Sequence, residues 1–152
     1  MPVDRGRKLS KHYILGDLLV DNNFPDLANV LAPEEPSIQN LERLTRTLDL
    51  LCDQFPPGFF VLSGYRDYAL NEACRTAGLP ASVNSLHLVG CAADVAPKNR
   101  ELDLEVVYEW VREQARGDFP VQEAVFYPKK GVIHIAIADP DQSSAKRILI
   151  RT

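Results

Sequence analysis

The 152-residue sequence is poor in the residues that special architectures need. It has only three cysteines, Cys52, Cys74 and Cys91, and no CxxC spacing. An odd, scattered set excludes a thiolate zinc knot and argues against a disulfide framework, so synthesis under reducing conditions is the simplest reading. No apolar run approaches the roughly 18 residues that a membrane-spanning helix requires. Met1 to Arg7 is polar and leads into no apolar core of signal-peptide length. No secretory signal is therefore expected, and synthesis is expected to be cytoplasmic. Positive charge is not in excess either: 17 Lys and Arg stand against 21 Asp and Glu, a net charge of −4. A nucleic-acid partner would want a basic stripe, so none is expected. No internal repeat or low-complexity segment is present.

What remains is an ordinary globular composition, 45% hydrophobic and 25% charged, in a chain of one domain's length. Residues 1–152 are expected to form a single monomeric domain. Asp17 to Val20 is a short apolar run, and Pro25-Asp26 suits the first turn of a short helix whose apolar face is Leu27, Ala28, Val30 and Leu31. Ile38, Leu41, Leu44, Leu48, Leu51, Cys52 and Phe55 recur at spacings of three and four. They predict a long amphipathic helix from Ile38 to Phe55, with Ser37 as N-cap and Pro56 as the stop. Phe59 to Leu62 reads as a buried strand and Asp67 to Ala77 as a helix ended by Gly78. Arg100 to Ala115 reads as a helix with Leu104, Val107 and Val111 inward. Ala124 to Tyr127, Val132 to Ile137 and Arg147 to Arg151 read as strands. Helices first and an antiparallel hairpin late indicate the α+β class.

There are three histidines, His12, His87 and His134. A lone histidine is more often a satisfied surface or core residue than a ligand, but two have informative neighbours. In Val132-Ile133-His134-Ile135-Ala136-Ile137 the alternation puts three isoleucines on one face and His134 on the other. The small neighbours Val132 and Ala136 suit a cleft better than open water. His87 and Asp94 fall in Ser85-Leu86-His87-Leu88-Val89-Gly90-Cys91-Ala92-Ala93-Asp94, where Gly90 and the small residues allow close backbone approach. If Cys91 to Val95 is extended, Asp94 and Ala92 share one face while Cys91, Ala93 and Val95 point to the core. Cys91 then reads as a small buried residue, not a nucleophile. Two histidines and a carboxylate are the ligand set of a catalytic zinc site, although composition alone leaves this one possibility among several.

The pattern Ser85-x-His87-x-x-Gly90-x-Ala92-x-Asp94 resembles the SxHxxGxAxD motif of the zinc D-Ala-D-Ala peptidases. That family includes D-alanyl-D-alanine carboxypeptidases, vancomycin-resistance dipeptidases and phage L-alanyl-D-glutamate endolysins. Ser63-Gly64-Tyr65-Arg66, with Asn71 in the following helix, is similar to its SGYR signature. Val132-Ile133-His134-Ile135 resembles the strand that supplies the last ligand, and Lys8 to Asp17 is similar to the start of the carboxypeptidase-like branch. The resemblance covers roughly Phe59 to Ile137. It implies a Hedgehog/DD-peptidase fold, a small antiparallel sheet with helices on one face and zinc on the other. It also implies that His87, Asp94 and His134 hold zinc, that Arg66 binds substrate and steadies a developing oxyanion, and that Ser85 supports the ligand loop or the substrate. The competing reading of Arg66 is a surface ion pair with Asp67 or Glu72. Because ligand histidines must be neutral, metal affinity is expected to fall below about pH 6.

One position departs from the pattern. The family commonly carries an acid, acting as general base, three residues before the last histidine, and here that residue is Gly131. A hairpin of Val121–Tyr127 and Val132–Ile137 around Pro128 to Gly131 would pair Tyr127 with Val132, Val125 with His134 and Glu123 with Ala136. Glu123 then shares the face of His134 as its diagonal neighbour, about 7–8 Å away backbone to backbone, where its carboxylate could serve as the base. The competing reading is a solvated strand glutamate. The resemblance thus implies a zinc metallopeptidase hydrolysing peptidoglycan stem-peptide bonds at or next to D-amino acids, delivered to the cell wall by a phage-type route. The alternative is a catalytically silent zinc- and cell-wall-peptide-binding relative, as in a phage particle.

Overall fold

The computed structural model describes residues 3–142 and 147–152. Short helices α1 (Leu15–Leu18) and α2 (Pro25–Ala28) precede the long α3 (Glu35–Gln54). They are followed by β1 (Phe59–Ser63), α4 (Tyr68–Thr76), a 3-10 turn at Leu86–Val89 and β2 (Ala92–Pro97). The chain closes with α5 (Leu104–Gln114), β3 (Glu123–Tyr127), β4 (Val132–Ala136) and β5 (Ile148–Arg151). The result is a mixed α/β fold around one five-stranded open sheet of order β1-β2-β4-β3-β5.

The expected elements are present, with five corrections. α2 ends at Ala28, so Val30 and Leu31 lie beyond it, and Val30 is 72% exposed instead of part of an apolar face. α5 starts at Leu104, not Arg100, with Asp103 as its N-cap. Ser37 is not the N-cap of α3. The helix starts earlier, with Glu34 as the flanking residue and Pro36 in its first turn, where a missing N–H costs nothing. Phe59–Leu62 is not wholly buried: β1 is an edge strand, and Phe60 is 55% exposed while Phe59 is in the core. The sheet is not purely antiparallel, because β5 runs parallel to β3. Residue 136 ends β4 at the end of the sheet where β3 begins. A strand laid from there along the free edge of β3 therefore runs the same way as β3.

The hairpin register is the expected one. Glu123 pairs with Ala136, Val125 with His134 and Tyr127 with Val132. On the other side of β4, β2 pairs Asp94 directly with His134. Alternation then sorts the side chains. Ala93, Val95, Ala124, Phe126, Ile133 and Ile135 are all at most 1% exposed. They share one core cluster with Leu44, Leu48 and Leu51 of α3 and with Val107 and Val111 of α5. Cys91 is buried there as a free thiol, and burial pushes its pKa up to about 11, so it is an inert core residue. Asp94, His134, Val125 and Glu123 lie on the opposite face, half-buried. Among the described residues no helix is long and apolar enough to cross a membrane.

The segment after β1 docks against the N-terminal strap through backbone bonds: Gly64 N–H donates to Val20 O (3.3 Å) and Tyr65 N–H to Leu18 O (2.8 Å). A Cβ on Gly64 would stand 2.1 Å from the Leu18 carbonyl oxygen, so only glycine permits this approach. Gly78, in contrast, has a positive φ of 76° with nothing near a built Cβ. Gly64→Ala should destabilise the fold by about 2–3 kcal/mol through overpacking, and Gly78→Ala by only about 1 kcal/mol through backbone strain. Urea unfolding midpoints of the two variants check this, and the reverse order would contradict the close approach.

Candidate metal centre

Three short segments bring the candidate residues together. Ser85 caps the 3-10 turn by accepting from the His87 N–H (3.2 Å), and the turn ends at Gly90 in a left-handed conformation. Arg66 N–H donates to His87 O (3.0 Å), which ties the turn to the segment that follows β1. Strand pairing supplies the rest, with Asp94 on β2, His134 on β4 and Glu123 on β3 sharing a face.

The ligand atoms of His87, Asp94 and His134 lie within 4.8 Å of one another. His87 is 3% exposed, and its Nδ1 is 2.7 Å from the Gly64 carbonyl oxygen. A carbonyl only accepts, so Nδ1 carries the proton. Burial lowers the His87 pKa and favours the neutral ring, which outweighs the pull of Asp94. The Nε2 lone pair of His87 therefore faces Asp94 Oδ1 at 3.4 Å. Two facing lone pairs repel unless a cation lies between them. Donors bonded at about 2.0–2.2 Å to one tetrahedral ion sit roughly 3.3–3.6 Å apart, a range that includes this separation. The residues thus fit a metal ion, and Gly64 O supplies the outer hydrogen bond that orients a histidine ligand.

His134 is in a different state. Its Nδ1 is 2.9 Å from Asp94 Oδ1 and its Nε2 is 3.0 Å from Glu123 Oε1. Burial alone would lower its pKa, but the two carboxylates outweigh that and push it up to about 9. Below that pKa the ring is an imidazolium donating to both. Glu123 is held below its ordinary pKa mainly by the His134 bond. Burial would raise Asp94, but the charge and the hydrogen bond of the His134 imidazolium outweigh it and keep the carboxyl ionised.

No family model, curated protein or solved structure matches the chain.

Arg66 is 4% exposed, and its Nη2 is 3.6 Å from Asp94 Oδ2. It forms neither of the surface ion pairs considered for it: Asp67 instead caps α4 at the Leu70 N–H, and Glu72 pairs with Arg75. Two clefts meet at His134. One, of about 280 Å³, is lined by Arg66, Asp94, Asn22, Asn23 and Lys130 among others. The other, of about 460 Å³, is lined by His87, Glu123, Ser85, Leu86, Ile148 and Ile150 among others. Gly131 lines neither. It borders a separate cavity beside Phe60, Lys98 and Arg100. His12 is remote from the centre and pairs with Asp53. Asn22, Asn23 and Lys130 were not legible as site residues, because no local pattern marks a polar residue on a loop as facing a cleft formed by distant strands.

The charge on His134 moves the expected pH dependence. A metal must displace its Nδ1 proton, so apparent affinity should fall about tenfold per pH unit from about pH 9 downward. The value of about pH 6 expected from an ordinary imidazole is thus replaced. Titration calorimetry with zinc in buffers of different ionisation enthalpy should find about one proton released per ion near neutral pH. Zero protons would contradict the imidazolium. The double variant His87→Ala/His134→Ala should lose tight binding, and retention of parent affinity would exclude the site.

Proposed function

We propose that the protein is a zinc-dependent peptidase of the Hedgehog/DD-peptidase fold that hydrolyses peptidoglycan stem-peptide bonds at or next to D-amino acids. The observation that carries this reading is the convergence of His87, Asp94, His134 and Arg66 on one concave face, from segments far apart in sequence. A mixed imidazole and carboxylate set suits zinc, and three protein ligands leave a position for water or substrate. When bound, zinc supplies a Lewis acid and a water of lowered pKa.

The chain's own groups supply the remainder. Arg66 is a fixed positive charge beside the cleft, suited to a substrate oxygen and to the negative charge that develops on a scissile carbonyl. Ser85 shapes the His87 turn by capping it and borders the larger cleft, where it meets substrate. Glu123 is assigned two tasks. Oε1 holds the Nε2 of His134, a carboxylate–histidine–metal arrangement that orients the ligand. The carboxylate also accepts the proton of the attacking water, the task that Gly131 has no side chain to perform. The second reading, a silent zinc- and peptide-binding module, is favoured by Gly131 itself.

Two glutamate variants separate the roles. Glu123→Gln keeps an oxygen that can accept from His134 but loses the base. Stem-pentapeptide hydrolysis should fall about 10²- to 10⁴-fold, while zinc affinity changes less than about tenfold. Glu123→Ala loses both roles, and zinc affinity should fall about 10- to 100-fold. Arg66→Lys keeps the charge without the planar fork, and hydrolysis should drop about 10²-fold or more. Mass-spectrometric assay of pentapeptide cleavage by the zinc-loaded chain checks the hydrolysis, and zinc titration of the two glutamate variants checks the affinities. Unchanged cleavage in Glu123→Gln would reject the base, and a parent that binds zinc and pentapeptide without cutting would establish the silent module.

A further inference from the structure

Asp21 is 4% exposed, and a carboxylate is rarely so deep unless it is paired. Its two oxygens do different things. Oδ1 accepts from the N–H groups of Asn23 (2.9 Å) and Phe24 (3.0 Å), shaping the turn into α2. Oδ2 accepts from the Ser63 hydroxyl at 3.0 Å and lies 3.9 Å from Arg66 Nε. The Ser63 oxygen in turn accepts from Arg66 Nε at 3.2 Å. The result is a buried series of donors and acceptors running from Arg66 Nε–H through the Ser63 hydroxyl to the Asp21 carboxylate.

The other end of the guanidinium is held more loosely. Nη1 is 3.5 Å from Asn71 Oδ1 and Nη2 is 3.6 Å from Asp94 Oδ2, long for hydrogen bonds. Arg66 is therefore gripped at Nε and left with spare donor capacity at its Nη edge, on the side of the 280 Å³ cleft. The Asp21–Ser63 bridge, with Asn22 N–H donating to Leu62 O (3.0 Å), fixes the relay to the edge of the sheet.

We propose that Asp21, acting through the Ser63 hydroxyl, is a positioning residue that presents the Nη edge of Arg66 to a carbonyl or carboxylate oxygen in the cleft beside His134. The inference rests on the proposed function for what enters the cleft, but the relay itself does not. Without the relay a long guanidinium side chain would sample several rotamers and lose the alignment on which electrostatic stabilisation depends.

Asp21→Asn separates this role from the turn. Its amide oxygen still accepts from Asn23 and Phe24, while its amide group replaces the acceptor that faces Ser63. Ser63→Ala removes the relaying hydroxyl, and Ser63→Thr restores one. In nitrogen–proton correlation spectra of the full chain, the parent should give a slowly exchanging Arg66 Nε–H signal, assigned by its loss in Arg66→Lys. That signal should vanish in Asp21→Asn and Ser63→Ala and return in Ser63→Thr, with the Asn23 and Phe24 amide signals kept in Asp21→Asn. With stem pentapeptide as probe, the zinc-loaded variants should lose about 10- to 100-fold in binding or cleavage at unchanged zinc affinity. An Nε–H signal that persists in both variants would overturn the relay. Loss of the signal with pentapeptide binding and cleavage unchanged would overturn the positioning role. A parent that neither binds nor cuts the pentapeptide would overturn the proposed function and the cleft role with it, and the Nε–H signal would still decide the relay.

Discussion

Asp94 lies directly across from His134 in the β2–β4 pairing, and the rest of the centre depends on that register. A strand has a side-chain period of two, so a slip of one residue would carry Ile133 and Ile135 to the cleft and His134 into the core. Burial of the isoleucine face against α3 and α5 resists any such slip. The hydrophobic core thereby sets the distance between two polar groups that it does not contact. Glu123 enters through the same register, two residues along β3 from Val125, the partner of His134.

Charge is arranged around that pair with little to spare. Asp94 has two oxygens: Oδ1 faces both histidines, while Oδ2 faces Arg66. Two further carboxylates flank the group, Glu123 on the His134 side and Asp21 on the Arg66 side. Partly buried carboxylates this close repel one another unless cations are interleaved, and the Arg66 guanidinium and the His134 imidazolium take those places. An ion bound between His87 and Asp94 would replace the Nδ1 proton of His134. Such an exchange of a proton for a metal would need no rebuilding of the fold, because the same donor atoms would serve both states.

Much of this was legible because it is periodic. The three-and-four spacing of Ile38 to Phe55 marked α3, and the alternation of Val132 to Ile137 marked both the strand and its two faces. The four-residue turn between two alternating segments was enough to set the β3–β4 register and place Glu123 beside His134. Where reading failed, the cause was context beyond the strand or turn itself. Ser37 looks like an N-cap, yet Pro36 before it already sits inside the first turn of the helix. Phe60 looks buried within an apolar run, yet its strand lies at an edge. The direction of β5 follows from which sheet edge is free, and residues 148–151 carry no mark of that.

By itself the sequence marked the main helices and strands and the inward and outward faces of the sheet, because each depends on spacing within a helix or strand, while the candidate ligands His87, Asp94 and His134 came from the resemblance of their motif. Only the tertiary structure decided the chemistry of those groups. The proton on Nδ1 of His87 follows from a carbonyl at Gly64, and the charge on His134 follows from carboxylates on two neighbouring strands. The burial of Arg66 follows from an aspartate in the segment before α2. Protonation and ion pairing depend on through-space distance and loss of solvent, and a linear pattern encodes neither until packing has brought the partners together.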